Sequence, residues 1–256
     1  METQKIVILG CGNVATYFAE RFMQLKHAIV QVYHPDLIKA TSFATAFHAQ
    51  ATANLFEINQ TADLYFIAVK DSAIEVIAES ISNVNGIVVH TSGAIKLEAL
   101  KKHQRAAVFY PLQTFTKGIK TAHQQFPLLI ESKEKSDEKY LEQLALEMGL
   151  QVHFINSTQR TEIHLAAVFA ANFANHCIKI GYDLMVAHHH APEMLLPLIK
   201  ESIHKLNYIS PAQAQTGPAI RHDDVTIAKH LDMLNNEASL KLLYELLTKN
   251  IQSSNP

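Results

Sequence analysis

The first 155 residues alternate between short apolar runs and longer stretches with helical periodicity. Seven runs rich in β-branched and aromatic residues predict strands at residues 6–9, 29–33, 64–69, 86–90, 106–110, 128–131 and 151–155. Helical patterns occupy residues 13–25, 37–47, 95–102 and 137–148, and the region up to residue 60 has room for a short edge strand. Strands that alternate with helices over short connections predict an α/β domain, residues 1–156, with a doubly wound sheet.

Beyond residue 156 the pattern becomes helical throughout. Residues 159–188 form one long segment that is apolar on nearly all faces, which is typical of a helix buried on every side. Such a helix spans roughly 40 Å, more than a small domain can cover, so we expect a second subunit to help bury it. Further helices are predicted at residues 192–208, 225–234 and 237–251. Residues 157–256 therefore form an all-helical dimerisation and substrate domain in this interpretation.

Composition narrows the class of protein. The 256 residues carry a net charge of −2 with 18% charged residues and no basic stripe, so neither a nucleic acid nor a membrane surface is expected as a partner. Cys11 and Cys177 lie far apart and are expected to be reduced thiols of a cytoplasmic protein. The first strand starts within a few residues of Met1, which leaves no room for a signal peptide. Polar residues interrupt the longest apolar segment, which argues against a transmembrane helix.

The turn after the first strand carries the strongest functional signal. It has the sequence G-C-G-N-V-A, with Gly10, Gly12 and Ala15 in the Gly-x-Gly-x-x-Ala spacing of a dinucleotide-binding turn. Gly10 permits the tight turn, and Gly12 lets a diphosphate approach the backbone. The first helical amides, from Asn13 and Val14, would then face the phosphates. The alternative is a glycine turn that only joins a strand to a helix.

The residues at the end of the second strand indicate whether NAD or NADP is the cofactor. Folds of this kind place an acid there for the ribose 2′-hydroxyl of NAD, or a cation for the 2′-phosphate of NADP. This chain has His34-Pro35-Asp36. No acid closes the strand directly, so NADP is favoured, with His34 beside the phosphate. Asp36 leaves NAD open.

Further candidates follow the later strands, because ligands bind at the carboxyl ends of parallel strands. Val69 and Lys70 end one strand and are expected beside the cofactor, and Ser72 with Glu75 matches a helix capping box. The loop 91–94 borders the nicotinamide. Its Ser92 either caps a helix or contacts cofactor and substrate. Other candidates on this edge are a cofactor contact at Gly93 and substrate contacts at Gln113 and Thr114.

The helical half adds candidate catalytic side chains. His164 and Asn172 lie on the long apolar segment, where buried polar groups need hydrogen-bond partners. His164 is either a proton donor to substrate or a structural histidine, and the same alternatives hold for Asn172. Arg221 either clamps a substrate carboxylate or pairs with a neighbouring aspartate. Three consecutive histidines, 188–190, diverge around a helix and form its solvated end, so no metal is predicted.

Several longer motifs together resemble a known family. They are G-C-G-N-V-A at 10–15, A-V-K-D-S-A-I at 68–74, H-T-S-G-A at 90–94, Y-P-L-Q-T-F at 110–115 and T-G-P-A-I-R-H-D-D-V-T-I-A-K-H-L at 216–231. The family is that of Rossmann-like NADP oxidoreductases with a helical C-terminal domain of unknown function. Its plan is similar to pyrroline-5-carboxylate reductase and to the 6-phosphogluconate and β-hydroxyacid dehydrogenases. This resemblance implies NADP use and a homodimer formed through the helical domains.

The chain departs from those families at three places. Val168 lies where a catalytic asparagine would follow a lysine in β-hydroxyacid dehydrogenases, His34-Pro35 replaces a usual serine and arginine, and His222 replaces a usual glycine. The main hypothesis is an NAD(P)-dependent oxidoreductase that moves a hydride between nicotinamide and a C=O or C=N group of a small metabolite. Ser92, Gln113 and Thr114 would position that substrate while His164 handles the proton. The alternative is an NADP-binding sensor without turnover.

Overall fold

A computed structural model describes residues 2–81, 83–119 and 125–254. Eight strands form one sheet in the order β3-β2-β1-β4-β5-β6-β7-β8. In chain order they are β1 (Lys5–Leu9), β2 (Ala28–Tyr33), β3 (Gln50–Thr52), β4 (Leu64–Ile67), β5 (Ile87–His90), β6 (Ala106–Pro111), β7 (Pro127–Ser132) and β8 (Gln151–Phe154). All seven predicted strands are present, and β3 is the short edge strand. Only the β6–β7 pair is antiparallel.

Helices cover both faces of the sheet. They are α1 (Asn13–Gln24), α2 (Leu37–Ala46), α3 (Asp71–Ser80) and α4 (Lys135–Glu147). Along β1 the side chains alternate between two cores: Ile6 and Ile8 pack in one, and Val7 and Leu9 in the other. A strand buried on both faces needs an unbroken apolar run, which is why the strands are visible in the sequence. The α/β fold with a doubly wound sheet is thus confirmed.

Two local predictions in this region are wrong. The segment predicted as a helix over 95–102 forms only a single 3₁₀ turn, Leu97–Leu100. Ser72 and Glu75 do not form a capping box, because α3 begins at Asp71 after Lys70 and no side chain caps it. Glu75 instead accepts a hydrogen bond from Lys101 Nζ at 3.1 Å. Glu75 therefore forms a solvent-exposed ion pair with Lys101, outside α3, in place of the capping contact that its spacing from Ser72 predicted.

The long helical segment runs from Ser157 to Ala187 in three parts. They are α5 (Ser157–Ala167), one π-helical stretch (Val168–Phe173) and α6 (Ala174–Ala187). The chain divides into two compact units between Ala174 and Asn175. Within the single chain most of this segment is exposed rather than buried on every side. No helix among the described residues is both long and apolar enough to cross a membrane.

The remaining helices belong to the second unit. They are α7 (Leu196–His204), α8 (Pro211–Ala214), α9 (Asp224–Met233) and α10 (Ala238–Ser254). The predicted helix over 192–208 has 3₁₀ turns at both ends, and the short α8 lies between it and the predicted helix over 225–234. The expected solvated end of the long helix is observed, because His188, His189 and His190 are all exposed after α6 ends.

Candidate functional site

The glycine turn connects β1 to α1 with a backbone that only glycine fits at position 10. Gly10 has a φ of +116°, and a β-carbon there would lie 2.1 Å from the carbonyl oxygen of Ala68. Its amide donates to the Tyr33 carbonyl at 2.9 Å. The turn therefore passes between the ends of β2 and β4, where the strand order reverses and where such sheets bind ligands.

The start of α1 leaves its first amides without a side-chain acceptor. A β-carbon at Gly12 would meet nothing within 4 Å, so the space in front of the turn is open. Gly12 precedes the helix, no side chain caps it, and no acidic residue lies in the first turn. The Asn13 side chain points elsewhere, since its Nδ2 donates to the Phe115 carbonyl at 2.9 Å. Free helix amides without a nearby carboxylate fit the diphosphate of a dinucleotide.

The cysteine inside this turn is electrostatically compatible with phosphate. Burial raises the pKa of the Cys11 thiol to about 11, although the nearby Lys39 ammonium opposes the shift. The thiol is therefore neutral at physiological pH and brings no negative charge to the turn. Because the Lys39 ammonium influences the pKa of Cys11, its charge lies near the glycine turn.

At the end of β2, the acidic side chain is already engaged. Asp36 Oδ1 accepts from the Ile38 amide at 3.0 Å and from the Lys39 amide at 3.3 Å, so Asp36 caps α2. His34 Nδ1 accepts from the Asp36 amide at 3.0 Å. The Lys39 ammonium is largely exposed and lies 3.8 Å from Asp36 Oδ2. This corner therefore offers one cation and one imidazole, whereas its single carboxylate already serves the helix.

The ends of β4 and β5 form the next part of the same edge. Val69 is half-buried beside Gly10, and Lys70 is exposed, with no side-chain hydrogen bond or ion pair to any of the described residues. Ser92 is buried, and its Oγ accepts from the Ala94 and Ile95 amides at 3.1 and 3.0 Å. The hydroxyl thus caps a tight turn of the loop and not the predicted helix, because no helix begins there. Its own hydrogen remains available as a donor.

Tyr110 and His164 form the closest contact between catalytically competent side chains at this edge. Tyr110 Oη lies 3.0 Å from His164 Nδ1, and the rings meet edge to face at 79°. Gly93 makes room for both, because a β-carbon there would lie 2.5 Å from Nδ1 and 2.8 Å from Tyr110 Cζ. Burial raises the pKa of Tyr110, against the opposing effect of Arg160. The loop after β5, the end of β6 and helix α5 thus meet at one pair of side chains that can exchange a proton.

A buried ion pair holds α5 in position behind this pair. The Arg160 guanidinium is fully buried and bonds Glu131, and its Nη2 donates to the Ile95 carbonyl at 2.6 Å. Glu131 also accepts from the Ser157 amide at 2.9 Å and from the Ser157 hydroxyl at 2.7 Å. Arg160 precedes His164 by one helical turn. The network therefore fixes the helix that carries His164.

His90 completes the buried layer next to Arg160. It pairs with Val108 on β6, which in turn faces Glu131 on β7. His90 Nδ1 accepts from the Ser92 amide at 3.2 Å, and burial together with the Arg160 charge lowers the pKa of His90 to about 3. The imidazole is therefore neutral and holds the loop that contains Ser92.

Other predicted site residues are not brought to this cluster by any hydrogen bond. Gln113 Oε1 accepts from the Thr114 amide at 2.8 Å, so these two contact each other in the loop after β6. Asn172 is exposed within the π-helical stretch. Arg221 is exposed and forms no ion pair within 4 Å in the described part of the chain, but after the hydrogen bonds from Thr226 its charge also lowers the pKa of Asp223. Among residues 2–81, 83–119 and 125–254, no group of three His, Cys, Asp or Glu could hold a metal.

In the second unit, Asp223 of the loop around Arg221 has a structural role at the start of α9. Asp223 caps α9 by accepting from the Thr226 amide at 3.1 Å and from the Thr226 hydroxyl at 2.8 Å. His222 has a φ of +53°, in the left-handed region that glycine adopts with less strain.

Three contributors to the site were missed in the sequence. Tyr110 ends a strand and precedes a proline, so it resembled any core tyrosine. Arg160 stands one turn before His164, and this spacing is the signal that could have found it. Lys39 lies within α2, three residues beyond Asp36, where a lysine normally indicates only a solvated helix face.

The glycine turn at the strand-order switch and the bare amides define a Rossmann-type dinucleotide-binding protein. The family described as "NADP oxidoreductase coenzyme F420-dependent" matches residues 5–92. The family described as "Domain of unknown function (DUF2520)" matches residues 126–251. A search of proteins with curated functions finds no match.

Solved structures extend the comparison over the whole chain. A "putative NADP oxidoreductase" from Bacteroides fragilis is 35% identical with a TM-score of 0.93, covering 98% of this chain and 99% of that one. An imine reductase from Myxococcus stipitatus in complex with NADP⁺ is 12% identical with a TM-score of 0.70, covering 98% and 93%. Pyrroline carboxylate reductase from Plasmodium falciparum with NADP bound is 13% identical with a TM-score of 0.60, covering all of both chains. The last two show a shared fold.

The chain belongs to the family of the Bacteroides fragilis protein, in which an NADP oxidoreductase-type Rossmann domain precedes a helical domain of unknown function. This assignment confirms the predicted family, the oxidoreductase class and NADP as the type of cofactor.

Proposed function

We propose that the protein is an NADP-dependent oxidoreductase that transfers a hydride between nicotinamide and a C=O or C=N group of a small metabolite. One observation carries this proposal: the bare amides after Gly12 and the Tyr110–His164 pair both stand at the carboxyl edge of the sheet. An anion site and a proton-transfer pair on one edge are what hydride transfer to a polar double bond requires.

The cofactor would be held along this edge. In the proposal, the turn from Gly10 to Val14 binds the diphosphate through the amides of Gly12, Asn13 and Val14. His34 and Lys39 face the 2′-phosphate, because Lys39 supplies the cation of that corner. When bound, the cofactor supplies or accepts the hydride.

The nicotinamide end would lie along the next strands. Val69, Lys70, Ser92 and Gly93 line the edge between the glycine turn and His164. His164 supplies or takes the proton. The imine reductase and the pyrroline carboxylate reductase that share this fold support a reaction at a C=O or C=N group.

Several substrate contacts are proposed on sequence position alone. Gln113 and Thr114 would position the substrate from the loop after β6. Asn172 and Arg221 would contribute from the helical part, Arg221 as a clamp for a carboxylate. Arg221 is exposed and has no ion pair within 4 Å in the described part of the chain, which supports that role.

A homodimer is part of the proposal. Leu165, Phe169, Phe173 and Val186 each expose at least half of their surface along the long helical segment. A row of exposed apolar side chains favours association with a second copy. We also propose that residues 1–156 bind the cofactor, that residues 157–256 dimerise and contact substrate, and that the protein is cytoplasmic.

Cofactor titration followed by nicotinamide fluorescence tests the proposal. We expect NADPH to bind at least about tenfold more tightly than NADH, because one charge-assisted contact to phosphate contributes that much. Lys39→Ala should remove this preference without changing NADH binding, and the exposed Lys179→Ala is the matched control. Binding of neither coenzyme would overturn the proposal. Tight NADPH binding without consumption across a carbonyl and imine panel would indicate the sensor alternative.

A further inference from the structure

The hydrogen bond between Tyr110 and His164 joins a phenol to the Nδ1 side of an imidazole. Tyr110 Oη lies 3.0 Å from Nδ1, and the phenol has no other hydrogen-bond partner in the described part of the chain. Burial raises the pKa of Tyr110, so the phenol keeps its proton at neutral pH. Nδ1 is thus the one acceptor for the phenol hydrogen among the described residues, and a phenol that donates there requires an unprotonated Nδ1.

A hydrogen bond donated by the phenol determines where His164 carries its own proton. A neutral imidazole that accepts at Nδ1 is protonated at Nε2. The Nδ1 side is closed by the backbone of Gly93, where a β-carbon would lie 2.5 Å away. His164 Nε2 has no partner among the described residues and is absent from their buried, unsatisfied atoms, so it is accessible. His164 therefore presents an N–H donor to whatever enters the site.

We propose that Tyr110 is a positioning residue that fixes His164 as the Nε2–H tautomer, and that the substrate therefore presents a heteroatom with a free lone pair, a carbonyl oxygen or a neutral imine nitrogen, and not a preformed iminium. This inference rests on the proposed function. A carbonyl oxygen or a neutral imine nitrogen accepts a hydrogen bond from Nε2–H. An iminium N–H⁺ is itself a donor and would need an acceptor at the same place.

The proton transfer balances for a carbonyl substrate. The hydride supplied by bound NADPH, which becomes NADP⁺, forms the new C–H bond while the C=O π electrons move to oxygen. The oxygen takes the Nε2 proton of His164, and Nδ1 takes the hydroxyl proton of Tyr110. Nδ1 then returns its proton to the phenolate while Nε2 takes a proton from solvent, which restores the Nε2–H tautomer. An alkoxide is a far stronger base than a phenolate, so the relay runs downhill.

The tautomer can be measured in the protein without any ligand. Nitrogen-15 NMR of histidine-labelled protein at about pH 8, where imidazoles are neutral, distinguishes protonated from unprotonated ring nitrogens. His164→Gln assigns the resonances. We expect the Nε2–H form in the wild type, and Tyr110→Phe should raise the Nδ1–H to Nε2–H ratio about fivefold, the effect of one ordinary hydrogen bond. A wild-type Nδ1–H tautomer, or an unchanged ratio in the variant, would overturn the proposal.

The chain contains a matched control for this experiment. Tyr244 Oη lies 2.8 Å from His230 Nδ1 in the second unit, which repeats the same pair of side chains there. Tyr244→Phe should change the spectrum of His230 and leave that of His164 unchanged. A change at His164 would mean that the tautomer responds to general destabilisation, against the proposal.

Substrate preference is the second arm. With NADPH and phenylpyruvate, Tyr110→Phe should lower kcat more than it changes KM, and the rate with the cyclic imine 2-methyl-1-pyrroline should fall as the pH drops and the iminium forms. An imine rate that rises as the iminium forms would overturn the substrate assignment. NADPH binding is measured separately by fluorescence, so its failure counts against the proposed function and leaves the tautomer result standing.

Discussion

Gly93 and His164 touch so closely that a β-carbon at residue 93 would lie 2.5 Å from Nδ1 of the imidazole. The loop after β5 therefore shapes the pocket in which the side chain from α5 sits. Because Gly93 has no positive φ, its necessity comes from the neighbouring rings and not from backbone strain.

This contact predicts that Gly93→Ala destabilises the fold by about 1–3 kcal/mol, as overpacking does. The variant should also displace His164 and lower any activity. A double-mutant cycle provides the control, because His164→Ala removes the clash and should recover most of the lost stability in urea unfolding. Equal costs in both backgrounds would mean that the two residues do not interact.

The two glycines of the first turn should respond differently to alanine. Gly10→Ala forces a side chain into an unfavourable φ and onto the Ala68 carbonyl, so we expect a loss of roughly 3 kcal/mol. Gly12→Ala enters open space and should change stability by less than about 0.5 kcal/mol. It should nevertheless weaken NADPH binding at least about tenfold, because the β-carbon stands where the diphosphate would approach. Calorimetric titration with unaltered affinity would contradict the diphosphate site.

The buried pair of Arg160 and Glu131 predicts a strong effect of breaking it from one side. Arg160→Met leaves the Glu131 carboxylate without its cation, and we expect a loss of about 3–5 kcal/mol in the free energy of unfolding. The exposed pair of Lys101 and Glu75 is the comparison, and Lys101→Met should cost less than about 1 kcal/mol. Similar losses in the two variants would show that burial does not matter here.

His90 predicts a loss of stability in mild acid. Its folded pKa of about 3 lies below the unfolded value of 6.5, so the unfolded chain binds more protons between these two values. The contribution is fully present above pH 6.5 and falls by about 1.4 kcal/mol for each pH unit below it. Comparing unfolding at pH 7 and pH 5, His90→Gln should flatten this decline, whereas exposed His153→Gln should not. A wild-type slope retained in His90→Gln would refute the assignment.

The exposed apolar row predicts a dimer that a single charge would weaken. Phe169 and Phe173 contact each other with ring centroids 5.0 Å apart, and both are at least half exposed. Phe169→Glu should shift the mass measured by light scattering from dimer to monomer. Val76→Glu, at an exposed position of α3, should leave it unchanged. A wild-type monomer would exclude this interface.

Prediction from the sequence worked where local chemistry decides the structure. The continuous apolar strands identified the sheet, because a strand buried on both faces admits few polar residues. The glycine turn was readable because a close backbone approach and a positive φ both demand glycine. Where a contact joined distant segments, as for Lys101 with Glu75, the capping pattern misled.

The sequence alone thus determined the doubly wound sheet, the bare amides after Gly12 and the family, since each depends on residues near one another in the chain. Only the tertiary structure decided that Tyr110 meets His164 across a separation of 54 residues, and that Arg160 is buried against Glu131. Those pairs arise from strand order and helix placement. A hydrogen bond between side chains on different elements leaves no periodicity in the chain, so only the folded arrangement reveals it.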